Sequence, residues 1–293
     1  MRSSGAGVFH LIRFELTKLA RRRASYVGIG LCVAFCLIVA LGFGLSQWRS
    51  LDRTPQTVLN PREYINGPFY ANFCLLVGFF ALMPLLTASL GGGQLAQEAR
   101  DGTLRVVLVR PVRRVRLYWA KVIATYIWVQ AMVLAMLAVA VLIGLVVYGG
   151  DRLLVFVWEF RKDGPFLLEL RQWIWVLPLA ALGAGLSLFV IAAFAMMLSA
   201  LTDSPATAQV ASVGLFLISS VLQQLPEEIL DGQFRQLLPT VHMNFWHEVY
   251  RLAHPRFGPD LGRLGTDLIW CGAMTIVFLV VGMVAFRTRD ITA

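Results

Sequence analysis

The chain has 293 residues, of which 58% are hydrophobic and only 15% are charged. A soluble domain is typically about 45–50% apolar and about 25% charged, so the composition excludes an ordinary soluble globular protein. A net charge of +9 would suggest nucleic acid in a soluble chain, but here the charges lie between apolar runs of membrane-helix length. The composition therefore predicts an all-α integral membrane protein that does not bind nucleic acid.

The stretch 8–23, VFHLIRFELTKLARRR, is amphipathic. In a helix, Val8, Ile12, Leu16 and Leu19 share one face, and the polar and basic residues occupy the other. This pattern predicts a helix that lies at the cytoplasmic membrane surface and leads into the first span.

Six apolar runs follow, and each is long enough to cross the hydrocarbon core, which requires about 20 helical residues. We expect spans at about 26–46, 68–93, 120–148, 173–200, 205–225 and 267–286. With both termini in the cytoplasm, 15 of the 26 Lys and Arg residues lie on the cytoplasmic side. The six spans make a single transmembrane domain, 1–293. Because basic loops stay in the cytoplasm, the sequence predicts that both termini are cytoplasmic.

Two mixed segments, 149–172 and 226–266, are then expected on the external side. The second has enough Leu, Phe and Trp to lie in the interface or to dip back as short helices. Its His242, His247 and His254 do not have the spacing of a metalloprotease site. We expect these histidines to be ordinary interfacial polar residues.

The sequence does not predict a catalytic, cofactor or metal site. The four cysteines all lie in apolar runs, where they are expected to be packing residues. The chain has no G-x-x-x-x-G-K-[ST] phosphate loop, so nucleotide would have to be bound by another polypeptide. An intramembrane enzyme is disfavoured because the spans show no nucleophile–base or metal-ligand constellation.

The stretch 97–121, QEARDGTLRVVLVRPVRRVRLYWAK, carries the densest group of basic residues. An acidic lead-in precedes a Gly-Thr step at 102–103, an apolar patch covers 104–109, and Pro111 ends any helix before it. A loop that only sets topology needs basic residues alone. An exposed apolar patch between charges is instead what a partner protein buries. The order of residues therefore predicts a docking element.

The same loop carries a family resemblance. Its pattern E-x-x-x-G-T-L, then P-V-x-R, then a Lys inside the next span, resembles the membrane subunit of type-2 ATP-binding-cassette exporters; the residues are Glu98, Gly102, Thr103, Leu104, Pro111, Val112, Arg114 and Lys121. FELTKLARRR is similar to the elbow helix of that family, 198–209 to its tight inner turn and 286–291 to its usual ending. The loop looks closest to the branch of bacitracin-resistance and copper-site-maturation permeases.

The resemblance implies a non-catalytic permease subunit in a bacterial plasma (inner) membrane, paired with a second copy or a related permease chain. Two separate ATPase subunits would bind ATP and Mg²⁺. A coupling helix within the loop 97–118 would contact the ATPase; the candidate residues are Glu98, Asp101, Gly102, Thr103, Leu104, Val107, Leu108, Arg110, Pro111, Arg113 and Arg114. For each arginine taken singly, contact with lipid or a topogenic role is the preferred interpretation.

Two alternatives stay open. A non-transporting scaffold or sensor could use the same loop to dock a cytoplasmic partner or anionic lipid. The run Gly91, Gly92 and Gly93 before the loop is explained equally well by a hinge and by close helix packing.

Overall fold

The computed structural model describes residues 8–51, 66–102, 114–155, 166–226, 229, 231–254 and 258–288. Its helices are α1 (Val8–Arg21), α2 (Arg23–Leu51), α3 (Gly67–Ala81), α4 (Met83–Gly92), α5 (Ala96–Arg100), α6 (Arg114–Val147), α7 (Leu170–Leu201), α8 (Pro205–Leu222), α9 (Gly232–Gln236), α10 (Pro239–His242), α11 (Glu248–Arg251) and α12 (Leu261–Thr288). Strands β1 (Leu153–Val155) and β2 (Phe166–Leu168) pair antiparallel, with Leu154 opposite Leu167.

Helices α2, α6, α7, α8 and α12 are each long and apolar enough to cross a membrane. Helices α3 and α4 make a sixth span if they are counted as one bent segment, since their axes meet at 49°. Pro84 lies in the first turn of α4, where its ring and its missing N–H prevent the preceding helix from continuing. The protein is therefore an all-α integral membrane protein, as the composition predicted.

Two helices begin earlier than the apolar runs suggested. Helix α6 begins at Arg114 and α12 begins at Leu261, although the corresponding apolar runs start near 120 and 267. Hydropathy reports the part of a helix that suits hydrocarbon, whereas helical hydrogen bonding continues into polar residues beyond it. The loop expected at 97–118 therefore includes the end of α5 and the first turn of α6.

Helix α7 is the centre of the bundle. Of the 18 most apolar consecutive residues of α7, 67% are buried inside the protein, against 17% for the corresponding stretches of α2 and α12. It packs on α4, α6 and α12. Small buried residues such as Ala180, Ala184 and Gly185 let these neighbours approach closely, which is how membrane helices gain packing energy. The outer faces of α2 and α12 are left apolar and exposed, as lipid contact requires.

The end of the bundle far from α1 is covered by the hairpin and by short helices. Trp246 is fully buried, with its Cβ against Gly183 of α7. Tyr250 donates a hydrogen bond to Asn72 of α3 at 2.6 Å. The segment expected in the interface or as short helices thus contains α9, α10 and α11 packed on the spans. The hairpin was not expected, because strands of three residues are too short to show an alternating pattern.

Candidate functional site

The junction between the second and third spans is the site expected from the sequence. Seven of its candidate residues are described: Gly91, Gly92, Gly93, Glu98, Asp101, Gly102 and Arg114. The others lie outside the described residues: Thr103, Leu104, Val107, Leu108, Arg110, Pro111 and Arg113. The structure therefore shows how the loop leaves α5 and how it enters α6.

Glu98 of α5 belongs to an ionic cluster whose described members are Glu15, Lys18, Glu98 and Lys121, of which all but Lys18 are buried. Its Oε1 accepts hydrogen bonds from Lys18 of α1 and from Lys121 of α6, the latter at 2.5 Å. Lys121 also donates to Glu15 of α1 at 3.0 Å. Lys121 is fully buried, and Glu15 and Glu98 are only 2% and 7% exposed. The ionic cluster joins the amphipathic helix, the residues before the loop and the third span.

Among the described residues, the ionic cluster has two carboxylates and two ammonium groups. Burial alone would raise the pKa of Glu98, but the nearby charges of Lys121 and Lys18 and their hydrogen bonds lower it below its ordinary value. Glu98 is therefore ionised at neutral pH. Removing one partner from a buried ion pair typically costs about 3–5 kcal/mol, because a charge is left buried and unpaired. The ionic cluster consequently fixes the relative positions of α1, α5 and α6.

Ser199, in the last turn of α7, makes a second attachment to the same junction. Its Oγ accepts hydrogen bonds from the backbone N–H groups of Leu95 and Ala96 at 3.1 and 2.8 Å, and it donates to the carbonyl of Gly92 at 2.7 Å. These backbone groups lie where one helix ends and the next begins, and therefore lack partners within their own helices. The connection from α4 to α5 is thus bonded to α7. Sequence reasoning missed Ser199, because no local pattern marks a serine whose partners lie about 100 residues away.

Gly91 and Gly92 lie in close contacts between helices. A Cβ on Gly91 would come closer than 3.0 Å to the carbonyl oxygen of Ala192 in α7. A Cβ on Gly92 would lie 2.8 Å from Cγ of Gln209 in α8. These contacts support the packing interpretation of both glycines, and the hinge stays a prediction.

The residues on either side of the loop are close to the surface. Asp101 is exposed, and its carboxylate lies 3.6 Å from Nε of Arg100. Gly102 has a φ of 68°, a conformation that favours glycine, and it follows the end of α5 directly. Arg114 donates a hydrogen bond to the carbonyl of Arg287 in α12 at 3.3 Å. The chain therefore leaves α5 through a turn that requires Gly102 and enters α6 beside the end of α12.

At the opposite end of the bundle, His242 connects α10 to α12. Its Nδ1 lies 2.8 Å from Oδ1 of Asp267, and its Nε2 lies 2.8 Å from the carbonyl oxygen of Gln236. Burial lowers the pKa of His242, but the hydrogen bonds to Asp267 and Gln236 and the charge of Asp267 outweigh that effect and raise it above its ordinary value. His242 is 4% exposed and is therefore a buried, paired residue, not the interfacial polar residue that was expected. Within the described part of the chain, no group of three or more His, Cys, Asp and Glu side chains could hold a metal ion.

Comparison with known proteins assigns the chain to a family. Residues 18–291 match the family model described as ABC-2 family transporter protein. The match includes Lys18, Glu98, Lys121 and Ser199, and it extends over nearly the whole chain. No curated protein matches the chain. Its long apolar helices make it a multi-pass integral membrane protein. The chain therefore belongs to the ABC-2 family transporter proteins and is a membrane permease of an ABC transporter.

Proposed function

We propose that the chain is the permease subunit of an ATP-driven exporter in a bacterial inner membrane, with both termini in the cytoplasm. It forms the translocation pathway as a dimer with a second copy or a related permease chain. Two separate ATPase subunits bind ATP and Mg²⁺, and the permease itself is not catalytic. The sequence of the loop, GTLRVVLVRPVRR, supports the branch of bacitracin-resistance and copper-site-maturation permeases.

The attachment of α5 on two sides is the observation that carries this proposal. Glu98 is bonded to both α1 and α6, and the backbone N–H groups at 95–96 are bonded to Ser199 of α7. A displacement of α5 by an ATPase would pass through these bonds to the third span and to α7, and coupling of this kind requires such contiguous contacts.

The described contacts divide the candidate residues into two roles. Glu98 is already bonded within the chain, so it acts as a positioning residue. Asp101 is exposed at the start of the loop, where a basic side chain of the ATPase can reach it. The apolar residues Leu104, Val107 and Leu108 supply the surface that the ATPase buries.

Replacing Leu104 and Leu108 together by Asp tests the proposal. The variant should insert normally but should lose the ATP-binding-cassette ATPase that co-purifies with the unaltered permease in mild detergent. Two aspartates buried against an apolar surface of the ATPase would weaken the complex by several kcal/mol. The matched control is Leu237→Asp, which places a charge on an exposed leucine at the opposite end of the bundle and should leave the complex intact.

Two results would contradict the proposal. If no ATP-binding-cassette ATPase co-purifies from native membranes under gentle conditions, a scaffold or sensor becomes the better explanation. If the ATPase binds the Leu104→Asp, Leu108→Asp variant as tightly as it binds the unaltered chain, then the loop is not its binding site.

A further inference from the structure

A cavity of about 670 Å³ lies between α1 and the connection from α4 to α5. Phe14, Lys18 and Arg22 line it on one side, and Gln94 and Asp101 line it on the other. It adjoins the ionic cluster, because Glu15 and Glu98 also belong to its wall. A volume of several hundred Å³ is typical of sites for small molecules.

Three basic and three acidic side chains line the cavity, and each acid has a basic partner, so among the described residues two arginines of the wall are left without an acidic partner. Within the cavity, Lys18 is bonded to Glu98, and Glu15 is bonded to Lys121. Asp101 lies 3.6 Å from Arg100. Among the described residues, neither Arg21 nor Arg22 forms an ion pair.

Arg22 lies close to the backbone of Gly93 at the cavity wall. It is half-buried at the break between α1 and α2, and both terminal nitrogens of its guanidinium lie 3.3 Å from where a Cβ on Gly93 would be. The absence of a side chain at Gly93 therefore makes room for this guanidinium against the backbone. A planar guanidinium without an acidic partner among the described residues is well suited to bind a phosphate group.

Part of the wall is apolar. Phe14 is 51% exposed and lines the cavity, and Leu19 lies behind it. An amphipathic helix at a membrane surface places such residues level with the upper part of the acyl chains. A ligand that fills this cavity therefore has an anionic head and an apolar tail.

We propose that this cavity binds an anionic phospholipid, with its phosphate at Arg22 and its acyl chains beside Phe14. This inference does not depend on transport or on an ATPase. It requires only that α1 lies at the membrane surface. The bound lipid would hold α1 and the residues before the loop together from the outside, in addition to the ionic cluster that joins them from within.

Native mass spectrometry of the delipidated protein tests the proposal with phosphatidylglycerol, phosphatidylcholine and inorganic phosphate as separate ligands. Phosphatidylglycerol should bind to the unaltered chain more tightly than phosphatidylcholine does. The Arg22→Gln variant should weaken its binding about tenfold, or by about 1.4 kcal/mol, because it removes the charged donor that faces the phosphate. Arg13→Gln, an exposed arginine on α1 outside the cavity, should not weaken it.

A second variant separates a lipid from a free anion. Phe14→Ser removes apolar contact and should weaken the binding of phosphatidylglycerol. Inorganic phosphate that displaces the lipid at millimolar concentration, together with no effect of Phe14→Ser, would show that the cavity takes a free anion, and would overturn the proposal. Equal effects of Arg22→Gln and Arg13→Gln would also overturn it, because the lipid would then bind the basic surface without using the cavity.

Discussion

The buried ammonium of Lys121 donates a hydrogen bond to the carboxylate of Glu98 at 2.5 Å, although one residue lies in the third span and the other lies beyond the end of the second. The loop expected to contact an ATPase lies between these two residues in the chain. The ion pair therefore closes that loop at its base. A displacement of one end of the loop would therefore act directly on the helix at the other end.

The Lys121→Met variant should be strongly destabilised. The substitution keeps most of the side-chain volume but leaves Glu15 and Glu98 buried without the ammonium group that both contact. Because breaking a buried pair costs about 3–5 kcal/mol, we expect a loss of roughly 3 kcal/mol in the free energy of unfolding. Denaturant unfolding in detergent micelles, followed by tryptophan fluorescence, measures this loss.

Two further variants control that experiment. Arg116→Met removes an exposed charge from the same helix and should change stability little. Adding Glu98→Gln to Lys121→Met should lower the free energy of unfolding by less than Glu98→Gln does alone, because the carboxylate that it removes has already lost Lys121 and keeps Lys18. Equal losses for Arg116→Met and Lys121→Met, or strictly additive losses in the double variant, would show that the pair does not stabilise the fold.

The sequence was sufficient to predict the membrane class and the family resemblance, because apolar runs and an ordered loop motif are local signals. The ionic cluster is not local. Lys121 bonds Glu15 from 106 residues away, and Lys18 bonds Glu98 from 80 residues away. Single basic residues near a span end also have a sufficient topogenic explanation. That Glu98 contributes to contact with a partner stays a prediction, whereas its burial depends on the placement of α1 and α6 and is not visible in the sequence.

The opposite end of the bundle was harder to predict for a different reason. Its elements are short: the strands have three residues each, and α10 and α11 have four. Neither helical nor strand periodicity can be recognised over such lengths. The role of His242 also depends on Asp267, which is 25 residues further along the chain. Tertiary contacts, and not local preference, therefore determine this region.

Ser199→Ala should loosen the connection between α4 and α5. The variant leaves the N–H groups of Leu95 and Ala96 and the carbonyl of Gly92 without their present partner. Each unsatisfied buried group costs about 1–3 kcal/mol, so hydrogen exchange at the two amides should become at least tenfold faster. Mass spectrometry of exchanged peptides in micelles measures this rate.

Ser187→Ala is the matched control for that variant. Ser187 is a buried serine on the same helix whose hydroxyl bonds only a carbonyl four residues earlier, which the helix itself already engages. Exchange at 95–96 should remain unchanged in this control. If Ser199→Ala leaves exchange at 95–96 as slow as Ser187→Ala does, then the serine does not hold the junction.

Gly91→Ala distinguishes packing from a hinge. Because an added Cβ would come closer than 3.0 Å to the carbonyl oxygen of Ala192, α4 and α7 would have to separate. We expect a loss of about 1–3 kcal/mol in unfolding free energy, measured by denaturant unfolding. Gly214→Ala, where a Cβ meets nothing within 4 Å, should be neutral or stabilising by up to about 1 kcal/mol. Unchanged stability of Gly91→Ala, with reduced stimulation of an ATPase, would instead support a hinge.

Thermal stability should fall as the pH rises through the pKa of His242. Both ring nitrogens face acceptors, Asp267 and the carbonyl of Gln236. The folded protein therefore favours the charged form of the ring, and the pKa of His242 is raised above 6.5. This stabilisation is complete below about pH 6.5 and is lost as the pH rises through the folded-state value. Melting curves between about pH 5 and pH 9 should show this decline. His242→Gln should flatten it, whereas the exposed His10→Gln should not. An unaltered decline in His242→Gln would mean that another group controls the pH dependence.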